Sequence, residues 1–136
     1  MVSFEFIVAG IPVSQQTRNR SRLREWRLKV REAAKLRWPL GDPPATEQLE
    51  VGIIYFYENT SPDVDVDNII KPILDALKGR AFEDDNQIVD VICRKRQIDS
   101  SFRITKMSEV LAEGFVGGKD FLHIRIGVSV DTEHLI

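Results

Sequence analysis

Carboxylates are concentrated in one stretch near the middle of the chain. Asp63, Asp65 and Asp67 alternate with valine, and Asp84-Asp85 follows after an apolar helical pattern. Acidic side chains this close in sequence repel one another at neutral pH unless protons, cationic side chains or a bound cation offset their charge. A divalent metal ion is the simplest counter-charge, so this stretch constrains both the fold around it and its chemistry.

The periodicity changes at the centre of this stretch. Asp65 and Asp67 are expected on one side of an extended segment, and Asp63 joins them if the strand reaches back that far. Apolar residues then recur at helical spacing, at Ile69, Ile70, Ile73, Leu74 and Leu77. The pattern predicts a helix that begins near Asp67 or Asn68 as N-cap and ends at Gly79.

The polar face of this predicted helix carries charges of both signs. Asp67, Lys71 and Asp75 follow one another at i, i+4 and i+8, which allows the ammonium of Lys71 to lie between carboxylates. Pro72, near the helix start, removes at most one backbone hydrogen bond. A lysine held in this way can position a phosphate or a water molecule.

The aspartates have two other interpretations besides a metal site. An EF-hand loop that starts at Asp63 would have Asn68 in place of the sixth-position glycine and Leu74 in place of the twelfth-position glutamate, so this interpretation fails. The other is a solvated acidic turn with an N-cap. The joint occurrence of the aspartates, the lysine and a second acidic pair favours the metal site.

The segment Asp65-Val66-Asp67-Asn68-Ile69-Ile70-Lys71-Pro72-Ile73-Leu74-Asp75-Ala76-Leu77, followed by Asp84-Asp85-Asn86-Gln87, resembles a known family. It matches the DxDNxxKxxxDAL and DDxQ pattern of RusA-type Holliday junction resolvases, which are small metal-dependent endodeoxyribonucleases. The strong resemblance covers roughly residues 62 to 97, and Gly10-Ile11-Pro12 is a weaker likeness.

The resemblance implies particular roles for individual residues. It implies that Asp65, Asp67 and Asp85 form the acidic catalytic cluster that binds Mg²⁺ or Mn²⁺, and that Lys71 is the functional lysine. The choice of Asp85 over Asp84 rests on the family pattern. The resemblance also implies a homodimer that acts on four-way DNA junctions, since paired nicks need two active sites.

A basic segment precedes the acidic one. Residues 18–38 contain nine cationic and two acidic residues, a net charge of +7 in a chain whose total is −2. An apolar stripe predicts a helix from about Arg20 to Trp38, and it consists of Leu23, Trp26, Val30, Ala33 and Ala34. The remaining circumference is either a solvated face or a surface for DNA phosphates, and the neighbouring acidic cluster favours DNA. The predicted DNA-binding residues are Arg18, Arg20, Arg24, Arg27, Arg31, Arg94 and Arg96.

Alternating apolar residues predict four strands, near residues 4–8, 49–57, 88–98 and 122–130. A short helical candidate, 106–113, is followed by glycines typical of a mobile connection. These elements predict an α+β fold: a single domain, spanning residues 1–136, with a mixed sheet of about four strands and two principal helices. Strand order does not follow from the pattern.

Composition limits the class of protein. With 136 residues, 43% of them hydrophobic, one domain with a modest core is expected. Apolar runs are too short for a membrane span and the first residues do not suggest a signal peptide, so a cytoplasmic location is expected. Cys93 has no second cysteine to pair with and is predicted to be a buried structural thiol.

The prediction for function is a metal-dependent, structure-specific endodeoxyribonuclease that resolves Holliday junctions in DNA recombination and repair. Two alternatives remain open: another metal-dependent DNA phosphodiesterase, and a DNA-binding protein whose acidic site is inactive. Substrate competition distinguishes the first from a resolvase. Metal addition distinguishes the second, because a DNA-binding protein with an inactive acidic site does not cleave DNA when a metal ion is added.

Overall fold

The computed structural model describes residues 3–39, 41–58, 64–99 and 104–129. Its elements within these ranges are β1 (Ser3–Ala9), α1 (Arg20–Arg37), β2 (Leu49–Tyr57), α2 (Val66–Leu77), a 3₁₀ turn (Asp85–Gln87), β3 (Ile88–Gln97), α3 (Glu109–Gly117) and β4 (Phe121–Val128). The prediction for Asp63 and the predicted end of the last strand at Val130 concern positions outside the described residues. Across the described ranges, no helix combines the length and the apolar character that crossing a membrane requires.

The four described strands form one mixed sheet in the order β1-β4-β2-β3. β4 pairs antiparallel with β1 and with β2, whereas β3 pairs parallel with β2. The parallel pair requires a crossover between β2 and β3, and α2 lies in that connection. The predicted α+β fold is therefore confirmed, with a short third helix in addition to the two principal ones.

Helices cover the two faces of the sheet unequally. α1 and α2 cover one face, where the larger core packs around Phe6, Leu23, Ile53, Ile73 and Ile124, all of which are buried. α3 covers part of the other face with a smaller cluster of Phe56, Leu111 and Phe121. The predicted apolar stripe of α1 is confirmed, and Trp26 belongs to it as a core residue.

The position of α3 corrects a prediction. The helix begins at Glu109, because the Ser108 hydroxyl accepts a hydrogen bond from the amide of Leu111 at 3.1 Å, and it continues through Gly114 to Gly117. Gly114 is buried against the ring of Phe121, and a Cβ on this residue would come within 2.1 Å of the ring. Gly114 therefore allows α3 to pack closely against Phe121 of β4, whereas the sequence suggested that it breaks the helix in a mobile connection.

β3 is the strand that carries Cys93, which is predicted to be a buried thiol. Its alternation is as predicted, but β3 is an edge strand, and Val89 and Val91 are 45% and 36% exposed. Cys93 is half-buried against the larger core, and burial raises the pKa of its thiol to about 11. A thiol with this pKa stays protonated near neutrality, in agreement with a structural role.

His123 alternates with the apolar residues of β4, which is typical of a surface position, but its side chain is only 12% exposed. Its Nε2 lies 3.2 Å from a carboxylate oxygen of Glu5, which also accepts a hydrogen bond from the Ser108 hydroxyl. Burial alone would raise the pKa of Glu5, but the Ser108 and His123 interactions outweigh it and the pKa is lowered. This cluster ties the start of α3 to β1 and β4.

Candidate active site

α2 begins two or three residues earlier than predicted, and this changes the relation between the first aspartates. Asp65 is the N-cap, with extended backbone angles, and its carbonyl accepts the amide of Asn68 at 3.0 Å. Asp67 is the second helical residue. Side chains at i and i+2 point in very different directions around a helix of 3.6 residues per turn. The prediction that Asp65 and Asp67 share one side of an extended segment is therefore wrong.

Both carboxylates at this helix start are exposed. Asp65 does not use its side chain as a cap. Within the part of the chain that the structure describes, neither Asp65 nor Asp67 forms a side-chain hydrogen bond or an ion pair. Two negative groups thus stand unneutralised at the positive end of α2, where negative charge is favoured.

The backbone around this helix start is anchored from two directions. Lys95 of β3 donates from Nζ to the carbonyl of Val64 at 3.0 Å. The amide of Gln15 donates to the carbonyl of Asn68 at 3.0 Å. Asn68 is four residues before Pro72, which has no N–H, so the proline leaves this carbonyl free for a partner outside the helix. As a result, the loop after β1 is joined to the first turn of α2.

Lys71 lies one turn further along α2. Its Nζ is 2.5 Å from Oδ1 of Asp75, and this hydrogen bond is the main reason that the pKa of Lys71 is raised. The charge of Asp85 raises the pKa further. Lys71 was expected to lie between Asp67 and Asp75; among the described residues its ion pair is with Asp75, and Asp85 supplies the second negative charge.

Asp84 and Asp85 differ in what their carboxylates do. Asp84 caps the 3₁₀ turn by accepting the amide of Asn86 at 3.1 Å. Asp85 is exposed and has Oδ2 3.8 Å from Nζ of Lys78, at the end of α2. The carboxylate of Asp84 is thus used in the fold, whereas that of Asp85 faces the cationic residues of α2.

Gln87 holds this acidic turn in place. Its Oε1 accepts the amides of Glu83 and Asp84, at 2.8 and 2.9 Å. Its Nε2 donates to the carbonyls of Ala45 and Glu47, at 2.8 and 2.9 Å. Sequence reasoning gave Gln87 no role, although an aspartate followed three residues later by glutamine is the spacing of a capping box.

The donor chemistry of Asp65, Asp67 and Asp85 suits a hard divalent cation, because all their ligand atoms are carboxylate oxygens. Across residues 3–39, 41–58, 64–99 and 104–129, no group of three or more His, Cys, Asp or Glu side chains is arranged to hold a metal ion. The structure brings Asp85 into the electrostatic environment of Lys71. It places Asp65 and Asp67 at the opposite end of α2 from Lys78.

The predicted DNA-binding arginines fall into three groups. Arg18, Arg20, Arg24 and Arg31 are exposed, in or next to α1. Arg27 is partly buried and forms an ion pair with Asp75. Arg94 and Arg96 are exposed on β3 opposite Ile54 and Phe56, so they lie on the sheet face away from α1 and α2.

A family model described as "Endodeoxyribonuclease RusA" matches residues 11–105. This range includes the basic helix, all of α2, the acidic turn and β3. The chain belongs to the RusA endodeoxyribonuclease family, a family of Holliday junction-resolving endonucleases. A search of curated proteins found no match.

Proposed function

We propose that this protein is a metal-dependent endodeoxyribonuclease that resolves four-way DNA junctions by paired, symmetric nicks. Family membership supplies the class of reaction. The observation in the structure that carries the proposal is the separation of roles at the acidic turn: Asp84 and Gln87 build the turn, and Asp85 is presented toward Lys71 and Lys78.

The chemistry is assigned to four side chains. Asp65, Asp67 and Asp85 would hold one or more Mg²⁺ or Mn²⁺ ions, which supply an activated water and stabilise charge on the scissile phosphate. Lys71 is protonated near neutrality, as an ordinary lysine is, and its raised pKa favours the charged form still more, so it carries a positive charge for the phosphate. Asp75 holds the Lys71 ammonium in one place.

We propose that the active form is a homodimer. The proposed set of Asp65, Asp67 and Asp85 would make one active site per chain, and two symmetric nicks need two such sites related by a two-fold axis. The edge strand β3 leaves one edge of the sheet unpaired among the described residues and exposes Val89, Val91 and Ile92 along it, which suits contact with a second copy. A cytoplasmic location stays a prediction.

Substrate competition tests the proposed substrate. A labelled mobile four-way junction is incubated with the protein, Mg²⁺ and an excess of unlabelled competitor of equal length. Unlabelled junction should suppress cleavage far more strongly than duplex, flap or single strand. Equal suppression by duplex would instead indicate a general metal-dependent DNA nuclease. Junction binding that is not followed by cleavage at any Mg²⁺ or Mn²⁺ concentration would indicate a binding protein with an inactive site.

The exposed arginines of α1 are proposed to bind the DNA backbone without reading sequence. Arg20 and Arg24 lie about one helical turn apart, so they can contact the same line of phosphates. Changing both to alanine should flatten the slope of log affinity against log salt by roughly 2, since each lost phosphate contact contributes about 0.9. Cleavage-site preference should not change. An unchanged slope would mean that neither residue contacts a DNA phosphate.

A further inference from the structure

Arg27 differs from the other arginines of α1. Its side chain is 36% exposed, and its Nε is buried without a hydrogen-bond acceptor among the described residues. The aliphatic part and the Nε of Arg27 therefore belong to the interface between α1 and α2. Arg24 and Arg31, one turn to either side, are exposed and available to DNA.

The guanidinium of Arg27 meets a carboxylate that already has a partner. Nη2 of Arg27 lies 3.5 Å from Oδ2 of Asp75, while Oδ1 of the same carboxylate lies 2.5 Å from Nζ of Lys71. Asp75 thus bridges two cations, one on its own helix and one on α1. Each carboxylate oxygen has its own partner.

This bridge restricts Lys71 more than a pair within one helix would. An i, i+4 ion pair on an exposed helix contributes only about 0.3–0.5 kcal/mol, and both side chains remain free to change rotamer. A second cation on a different helix fixes the rotation of the carboxylate. Because the Nε of Arg27 is buried, that cation is itself held in place. The orientation of Oδ1, and with it the position of the lysine ammonium, is then set by the packing of α1 on α2.

We propose that Arg27 is a positioning residue that acts on Lys71 through Asp75, and that it is not one of the DNA phosphate contacts. This inference rests on the proposed role of Lys71 in phosphodiester cleavage. It assigns different tasks to arginines of one helix: the exposed ones hold DNA, and the partly buried one orients the catalytic lysine.

The test uses full-length Arg27→Gln, Arg27→Lys, Asp75→Asn and the double variant Arg27→Gln/Asp75→Asn. With saturating junction and Mg²⁺, Arg27→Gln should lower kcat by about 10-fold, a fraction of the 100-fold that a 1 Å misplacement can cost. Its junction Kd and salt slope should match those of wild type. Arg27→Lys should recover part of the loss because it keeps the charge, and the double variant should be no slower than Asp75→Asn alone.

Arg24→Gln is the matched variant for the other role. Its salt slope should fall by about 0.9, as expected for one lost phosphate contact. The same fall in Arg27→Gln, with kcat retained, would overturn the proposal. Losses in kcat that simply add in the double variant would also overturn it, because they would mean that Arg27 and Asp75 act independently.

Urea unfolding of the four variants separates this inference from the proposed function. Each single change should lower the free energy of unfolding, and the double change should lower it by less than the two together. This coupling is measurable whether or not the protein cleaves junctions. If wild type fails to cleave, the proposed function fails; if the unfolding effects add, the Arg27–Asp75 link fails.

Discussion

Asp67→Asn and Asp85→Asn should each abolish junction cleavage while junction binding is largely kept, because the ions that activate water would no longer be held. Asparagine preserves the size of the side chain and removes the charge that a divalent cation requires. Cleavage is measured with saturating junction in excess Mg²⁺, and binding is measured without metal. Full cleavage by Asp67→Asn would show that Asp67 is not one of the catalytic carboxylates.

Asp84→Asn is the matched control for Asp85→Asn. Asparagine is as good an N-cap as aspartate, so the bond to the Asn86 amide and the turn should survive the change. Activity should therefore be retained in Asp84→Asn and lost in Asp85→Asn. The reverse pattern would make Asp84 the functional carboxylate and contradict the separation of roles at the acidic turn.

Gly114→Ala should produce the largest loss of stability among conservative single changes in α3. The new Cβ would lie 2.1 Å from the ring of Phe121, so either the ring or the helix must move. Overpacking of this kind costs about 3 kcal/mol of unfolding free energy, measured by urea denaturation.

Gly117→Ala, at the end of the same helix, is its control. A Cβ at Gly117 meets nothing within 4 Å. This change should be neutral or stabilising by about 0.5–1 kcal/mol, because alanine favours the helix. A Gly114→Ala protein as stable as wild type would contradict the packing of α3 on β4 and favour the mobile connection expected from the sequence.

The sequence predicted those parts of the fold in which one local pattern dominates. α1 was predicted almost to the residue, because buried positions such as Leu23, Trp26 and Val30 repeat at helical spacing in a chain segment without breakers. The alternating strands β1, β2 and β4 were predicted for the same reason. In each of these elements the residues that pack against the core recur at the regular spacing of a helix or a strand, so the sequence shows them directly.

Errors arose where tertiary contacts override a local signal. Val64 and Val66 alternate with aspartates as in a strand, but Asp65 is the N-cap and the helix takes Val66 as its first residue. Gly114 resembles a helix breaker, yet it is required because Phe121 leaves no room for a side chain. Cys93 is half-buried and not fully buried, because pattern alone does not show which strand is at the edge of a sheet.

The sequence predicted which residues belong to the candidate site better than it predicted how they contact one another. Spacing within α2 correctly suggested that Lys71 can pair with Asp75. The second partner of Asp75 is Arg27, which is 48 positions earlier in the chain, and no local rule connects the two. The different tasks of Asp84 and Asp85 likewise depend on where the 3₁₀ turn places each carboxylate.

The most direct test of the proposed function is to map nicks on a synthetic mobile four-way junction. Each of the four strands is labelled in turn, and products are resolved to the nucleotide with and without Mg²⁺. A junction-resolving dimer should produce Mg²⁺-dependent nicks at symmetric positions on one opposing pair of strands in each resolution event, leaving products that DNA ligase can seal. Nicks that are scattered over all four strands without symmetry, or equal cleavage without a divalent cation, would contradict the proposed function.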